Sequence, residues 1–185
     1  MSKLVLVTGG ARSGKSTFAE EMAKKVGNNI LYVATSIPFD DEMKLRIKKH
    51  REHRPSSWET VEAYKDMDIH LEDKIKGKDG VILDCLTIMI TNIMLERYED
   101  WDNISAEEAD EVEKHVKSEI DKLLGVIKKC TIPFIAVTNE TGMGVVPWNK
   151  VGRAFRDIAG RTNQIMARAA QEVYLCISGI PVRIK

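Results

Sequence analysis

The segment Gly9-Gly10-Ala11-Arg12-Ser13-Gly14-Lys15-Ser16 follows the spacing G-x-x-x-x-G-K-[ST], a phosphate-binding P-loop in which each residue type has a use. Its glycines let backbone N–H groups close around phosphate oxygens at the positive end of a helix. Lys15 can reach the β- and γ-phosphates, and the Ser16 hydroxyl can hold Mg²⁺. The flanks fit that use. Leu4 to Val7 is short, apolar and β-branched, and Thr17 to Lys25 is rich in helix formers, so strand, loop and helix follow in the required order. The alternative is a structural turn that matches by chance, and few such turns carry Gly-Lys-Ser in this setting.

Asp84 ends the apolar run Val81-Ile82-Leu83. P-loop proteins place there the carboxylate that completes the Mg²⁺ shell. It can also cap the helix that begins near Leu86, and the two roles are compatible.

The segment from Asp40 to Glu62 begins acidic, turns strongly basic through Lys44, Arg46, Lys48, Lys49, His50, Arg51 and Arg54, and ends at Pro55 and a tryptophan, Trp58, expected at the surface. Such a helix can hold nucleotide phosphates. It can also contact RNA, or be a solvated amphipathic helix with Met43, Ile47 and His50 facing inward.

Other reactive residues point to less. Cys85, Cys130 and Cys176 are far apart, form no CxxC pair and lie in or beside apolar runs. They read as reduced, buried thiols that behave as small hydrophobes. His70 and His115 pair with no cysteine or carboxylate at metal-site spacing, so no structural metal is expected. The 28 basic and 28 acidic residues cancel, which argues against DNA or another polyanion as partner. No signal peptide precedes the first strand, and no apolar run approaches the ~20 residues a membrane span needs. A soluble cytoplasmic protein acting on small molecules is expected.

The elements that must position these residues alternate. β-like runs at Asn29 to Ala34, Gly80 to Leu83, Pro133 to Thr138 and Val173 to Ser178 are separated by segments long enough for helices. This predicts one α/β domain over residues 1–185, a P-loop NTPase-type mostly parallel sheet with helices on both faces. Pro181 to Lys185 reads as an antiparallel C-terminal edge strand in a hairpin. Thr8-Gly9, Thr35-Ser36, Asp84 and Thr138-Asn139-Glu140 each follow a strand, so they should converge around the P-loop, where open α/β sheets bind ligands.

Helices are expected at 41–51, 86–98, 105–129 and 153–172. Ser105 and Glu108 form a capping-box pattern, and Val112, Val116, Ile120, Leu123, Leu124 and Ile127 trace one face, with His115 on the solvated side. The helix at 86–98 is too apolar for a single stripe. It is either deeply buried or meets a neighbouring subunit.

Together these motifs resemble a known family. The P-loop, Ala34-Thr35-Ser36, Asp41-Glu42-Met43 with Arg46-Ile47, His50-Arg51, Arg54-Pro55, Trp58 and Glu62 all take part. So do Val137-Thr138-Asn139-Glu140 with Gly142-Met143-Gly144 and Val146-Pro147, and finally Arg153, Phe155-Arg156-Asp157, Gly160, Asn163-Gln164 and Ala167. Over essentially the whole chain, they resemble the bifunctional adenosylcobinamide kinase/adenosylcobinamide-phosphate guanylyltransferase of cobalamin biosynthesis. A bare P-loop is common; its combination with His-Arg-x-x-Arg-Pro and Asn-Glu-x-Gly-x-Gly is specific.

The resemblance implies two reactions. Adenosylcobinamide takes a γ-phosphoryl group from ATP or GTP. GMP then passes from GTP to the resulting phosphate, giving adenosylcobinamide-GDP and pyrophosphate. It further implies a covalent guanylyl-histidine at His50, and a nucleotide site formed by residues 9–16, Ala34, Thr35, Ser36, Arg51, Glu52, His53, Arg54, Glu62 and Asp84. Lys15 serves both steps, Ser16 and Asp84 hold Mg²⁺, and the assembly is a homotrimer whose interface could use the helix at 86–98. A Glu62 carboxylate accepting from guanine N1–H and N2–H₂ would favour GTP. Lys49 stands where some members carry a second histidine, which leaves His53 as a competing nucleophile. The Asn139 to Gly144 loop with Arg153 and Arg156 either lines the corrinoid or phosphate path or is only a tight turn. The rival readings are a simple P-loop kinase of another small hydroxyl, and an RNA-binding or regulatory NTPase.

Overall fold

The computed structural model describes residues 3–37, 55–98 and 100–185. The first strand, β1 (Leu4–Gly9), runs into the glycine-rich loop and helix α1 (Lys15–Val26). Then follow β2 (Ile30–Ala34), β3 (Glu59–Glu62), the short α2 (Met67–Leu71), β4 (Gly80–Asp84) and α3 (Leu86–Arg97). The chain continues through α4 (Ala106–Lys129), β5 (Phe134–Val137), α5 (Lys150–Ala169), β6 (Glu172–Ile177) and β7 (Ile180–Arg183).

The strands form one sheet in the order β3-β2-β4-β5-β1-β6-β7. Every pairing is parallel except β6 with β7, as the sequence predicts. The antiparallel hairpin turns through Ser178 and Gly179, both at positive φ (51° and 84°), the backbone that a two-residue turn between twisted strands requires.

Alternation along the strands divides the core. Leu4, Leu6, Leu31, Val33, Val81 and Leu83 face α2, α3, α4 and α5. Val5, Val7, Ile30, Tyr32 and Ile82 face α1. Because both faces are covered, the central strands are apolar throughout.

The helices follow local signals closely. Ser105 accepts from the Glu108 N–H while the Glu108 carboxylate accepts from the Ser105 N–H, a capping box contributing about 1 kcal/mol. α5 starts at Lys150, earlier than the predicted Arg153, because the Asn149 side chain caps it by accepting from the Gly152 N–H at 3.0 Å. α3 buries Leu86, Met89, Ile90, Ile93 and Met94 within its own chain, and only Leu95 of its large apolar residues is exposed. Deep burial, one of its two expected readings, accounts for its composition.

Two elements go beyond the sequence expectations, because β3 has no apolar run and α2 is only five residues long. β3, Glu-Thr-Val-Glu, lies beside β2 with Ala34 opposite Glu62, and Lys74 and Lys78 each pair with Glu59 at 2.8 Å. α2 is anchored by Met67 and Leu71, one turn apart and fully buried. Trp58, expected at the surface, is buried against Tyr32, with ring centroids 6.4 Å apart. Among the described residues, no helix is long and apolar enough to cross a membrane.

Candidate active site at the carboxyl edge of the sheet

The loop between β1 and α1 is braced from two sides. The Gly179 N–H at the β6–β7 turn donates to the Ser13 carbonyl at 2.9 Å, and the Glu140 N–H after β5 donates to the Gly9 carbonyl at 3.1 Å. Gly14 caps α1 at φ 87°, and a Cβ there would approach the Gly179 Cα to 3.0 Å. A Cβ on Gly9 would meet Ser13 Oγ at 2.5 Å and the Cys176 carbonyl at 2.6 Å. Only glycine fits where the backbone is this close.

The Lys15 side chain is buried and folds back, its Nζ donating to the Gly10 carbonyl at 3.0 Å across the loop. Gly10, Ala11 and Arg12 are exposed at the mouth, and Ser16 is partly exposed. Thr8 Oγ1 and Ser13 Oγ are buried hydroxyls without a protein partner. An unpaired buried hydroxyl is costly, and both lie in or directly before a loop built for an oxygen-rich anion.

Asp84 reaches this edge from β4. Ile82 faces α1, so two residues on the Asp84 side chain points to the same face. The helix cap expected of Asp84 is not made: Cys85 is the N-cap residue of α3, with no side-chain cap. The Asp84 carboxylate instead accepts from the Tyr32 hydroxyl at 2.9 Å, which leaves its remaining lone pairs for a cation. Ser16 and Asp84 offer oxygen only. Among the described residues no cluster of three or more His, Cys, Asp or Glu is placed to hold a metal ion. Two protein oxygen donors of this kind suit Mg²⁺, which keeps water and phosphate ligands rather than an all-protein cage.

Ala34, Thr35, Ser36 and Glu62 line one cleft of about 240 Å³ with Ile37, Ala63, Tyr64, Lys65 and His70. The cleft exists because β3 lies in register beside β2. Sequence reading missed Tyr64, Lys65 and His70; the only available signal was that Tyr64 and Lys65 closely follow Glu62. The Tyr64 hydroxyl donates to Glu96 at 3.1 Å, and Lys65 pairs with the same carboxylate. Lys65 holds the Glu96 carboxyl below its usual range, and Glu96 in turn raises Lys65, so the lysine stays charged beside the cleft. A larger cavity of about 510 Å³ lies elsewhere, among Ile75, Lys122, Val126 and Cys130, and includes no residue of this edge.

Other expected residues take structural work. The Arg153 guanidinium donates to the carbonyls of Pro147 and Trp148, and Arg156 donates to that of Gly144 at 3.4 Å, so both hold the loop that follows Asn139. The three cysteines are free and buried. Burial, reinforced by the Asp84 charge, pushes the Cys85 thiol up to about 11, which fits inert thiols. His50, Arg51, Glu52, His53 and Arg54 lie outside the described residues.

A family model described as cobinamide kinase / cobinamide phosphate guanyltransferase matches residues 5–184. The chain belongs to this kinase/guanyltransferase family. It is 43% identical over 187 residues, spanning 98% of this chain and 99% of the relative, to the bifunctional adenosylcobalamin biosynthesis protein CobU of Escherichia coli (strain K12). To the protein of the same name from Salmonella typhimurium it is 42% identical, with 98% and 99% of the two chains covered. The Pseudomonas aeruginosa protein CobP is 33% identical over 97% of this chain and 96% of its own length. These matches extend the family over the P-loop, the cleft and the α5 region alike.

Proposed function

We propose that this enzyme phosphorylates adenosylcobinamide with ATP or GTP and then transfers GMP from GTP to adenosylcobinamide phosphate, forming adenosylcobinamide-GDP and releasing pyrophosphate. The observation that carries this reading is a family match across residues 5–184 that contains a P-loop with Lys15 buried beneath it.

In the kinase step the loop amides and Lys15 hold the transferred phosphoryl group in line with the corrinoid hydroxyl, so positioning and charge stabilisation supply the catalysis. In the second step a neutral His50 imidazole attacks the α-phosphorus of GTP. An N–P bond forms as the α–β P–O bond breaks, and pyrophosphate leaves with that electron pair. An oxygen of the corrinoid phosphate then displaces His50. Arg51 and Arg54, with Glu52 and His53 between them, line the nucleotide; the two guanidiniums offset the growing phosphate charge. Mg²⁺, held by Ser16 and Asp84, would withdraw charge from the β- and γ-phosphates. The cleft beside Ala34, Thr35 and Ser36 receives guanine, with Glu62 accepting from its N1–H and N2–H₂.

We further assign a cytoplasmic homotrimer. The exposed apolar side chains of Met143, Val145, Val146 and Trp148 support a partner surface beside α5.

The test is covalent labelling. Protein incubated with Mg²⁺ and GTP labelled at the α-phosphate, without corrinoid and kept alkaline, should gain a GMP adduct seen by intact mass, and His50→Ala should not. An adduct that survives in His50→Ala moves the nucleophile to His53 or another residue. No adduct in wild type under conditions of demonstrated GTP binding leaves a simple kinase as the better account.

A further inference from the structure

We propose that Thr35 is a positioning residue for the Asp84 carboxylate and makes no side-chain contact with nucleotide; this rests on the reading of Asp84 as the Mg²⁺-side carboxylate. Thr35 is 1% exposed, and each of its polar groups is already engaged. Its N–H donates to the Asp84 carbonyl at 3.2 Å. Its hydroxyl accepts from the Cys85 N–H at 2.8 Å and donates to the Cys85 carbonyl at 2.8 Å. Its own carbonyl accepts from the Asn92 side chain at 2.7 Å.

The consequence lies in where those bonds fall. One residue grips the backbone immediately after the Asp84 side chain, at the Asp84 carbonyl and at the Cys85 amide and carbonyl, while Tyr32 from β2 holds the carboxylate itself. The exit of β4 is therefore fixed by the exit of β2, and Asn92 ties both to α3. A carboxylate must be held within about 0.5 Å of its working position to serve a site, and Asp84 is the last residue of its strand, with only Cys85 between it and α3. Threonine suits the task because its hydroxyl both donates and accepts.

The prediction separates nucleotide contact from carboxylate placement. A fluorescent methylanthraniloyl-GDP is titrated with and without Mg²⁺ into wild type, Thr35→Val, Thr35→Ser and Asp84→Asn, each first shown to melt cooperatively. Asp84→Asn should lose the affinity gain that Mg²⁺ brings. Thr35→Val should lose about 5- to 10-fold of that gain, a larger loss than any change in its Mg²⁺-free affinity, and Thr35→Ser should restore it. If Thr35→Val weakens binding equally with and without Mg²⁺, Thr35 is a nucleotide contact and the inference is wrong. Full Mg²⁺ gain in Thr35→Val alongside its loss in Asp84→Asn also overturns the inference, while the Asp84 reading stands. Full gain in Asp84→Asn overturns the Asp84 reading itself. Should Thr35→Val not fold, Asn92→Ala, which frees only the Thr35 carbonyl, carries the test. A reduced Mg²⁺ gain there supports the clamp, and no change overturns it.

Discussion

The Tyr32 hydroxyl donates a 2.9 Å hydrogen bond to Asp84 Oδ2, joining neighbouring parallel strands at the edge where the P-loop opens. The register sets Tyr32 opposite Ile82 and Ala34 opposite Asp84, so both side chains emerge on the α1 face. Tyr32 is itself fixed by burial and by stacking on Trp58. Tyr32→Phe keeps the ring and removes only the bond. It should lower kcat for both transfers by about 3- to 10-fold and move Tm by only about 2–4 °C. Steady-state kinetics with a thermal melt check this, and unchanged kcat would show that the bond does not hold Asp84 for catalysis.

Gly14 has φ 87°, and a Cβ added there would lie 3.0 Å from the Gly179 Cα, which makes that position intolerant. Gly14→Ala should cost about 1–3 kcal/mol and weaken GTP binding at least about 10-fold. Chemical denaturation and nucleotide titration read the two effects. A fully stable variant with normal affinity would mean the loop relaxes freely.

The thiols should be silent. Cys85, Cys130 and Cys176 are all buried, and burial raises Cys85 and Cys176. A thiol-reactive disulfide reagent at neutral pH should label none of the three within minutes in native protein, and all three in denaturant. Rapid native labelling would place a thiol at the surface.

How much of this was legible in sequence depended on the kind of signal. β1, the P-loop and α1 were readable because an apolar run, a glycine pattern and helix formers lie next to one another. β3 was not: Glu59 to Glu62 has no apolar run, and its strand state comes from parallel pairing with β2. The cleft therefore stayed hidden in part, with Glu62 reached through family resemblance and His70 and Lys65 only through tertiary placement. The family resemblance assigns Thr35 to the nucleotide site. Its fully engaged polar groups depend on Cys85 and Asn92, 50 and 57 residues away, a relation no local pattern encodes.

β3 also gives a pH dependence. Hydrogen bonds from Lys74 and Lys78 lower the Glu59 carboxyl from 4.5 to about 2. Between those values the unfolded chain binds the extra proton, so Glu59 contributes stability above pH 4.5 that is lost as pH falls towards 2. Thermal melts from pH 5.5 to 2.5 should show a smaller decline for Glu59→Gln than for wild type. Parallel declines would mean that the two lysine pairs add nothing in solution.

The claim that one P-loop serves both transfers is tested most directly by following two labels into the corrinoid product. Wild type is given adenosylcobinamide with ATP labelled at the γ-phosphate, or adenosylcobinamide phosphate with GTP labelled at the α-phosphate, and products are resolved by chromatography and mass. The γ-label should appear in adenosylcobinamide phosphate and the α-label in adenosylcobinamide-GDP, and Lys15→Ala, still folded, should reduce both by at least about 10²-fold. Loss of one transfer with full retention of the other in Lys15→Ala would contradict a shared phosphate site.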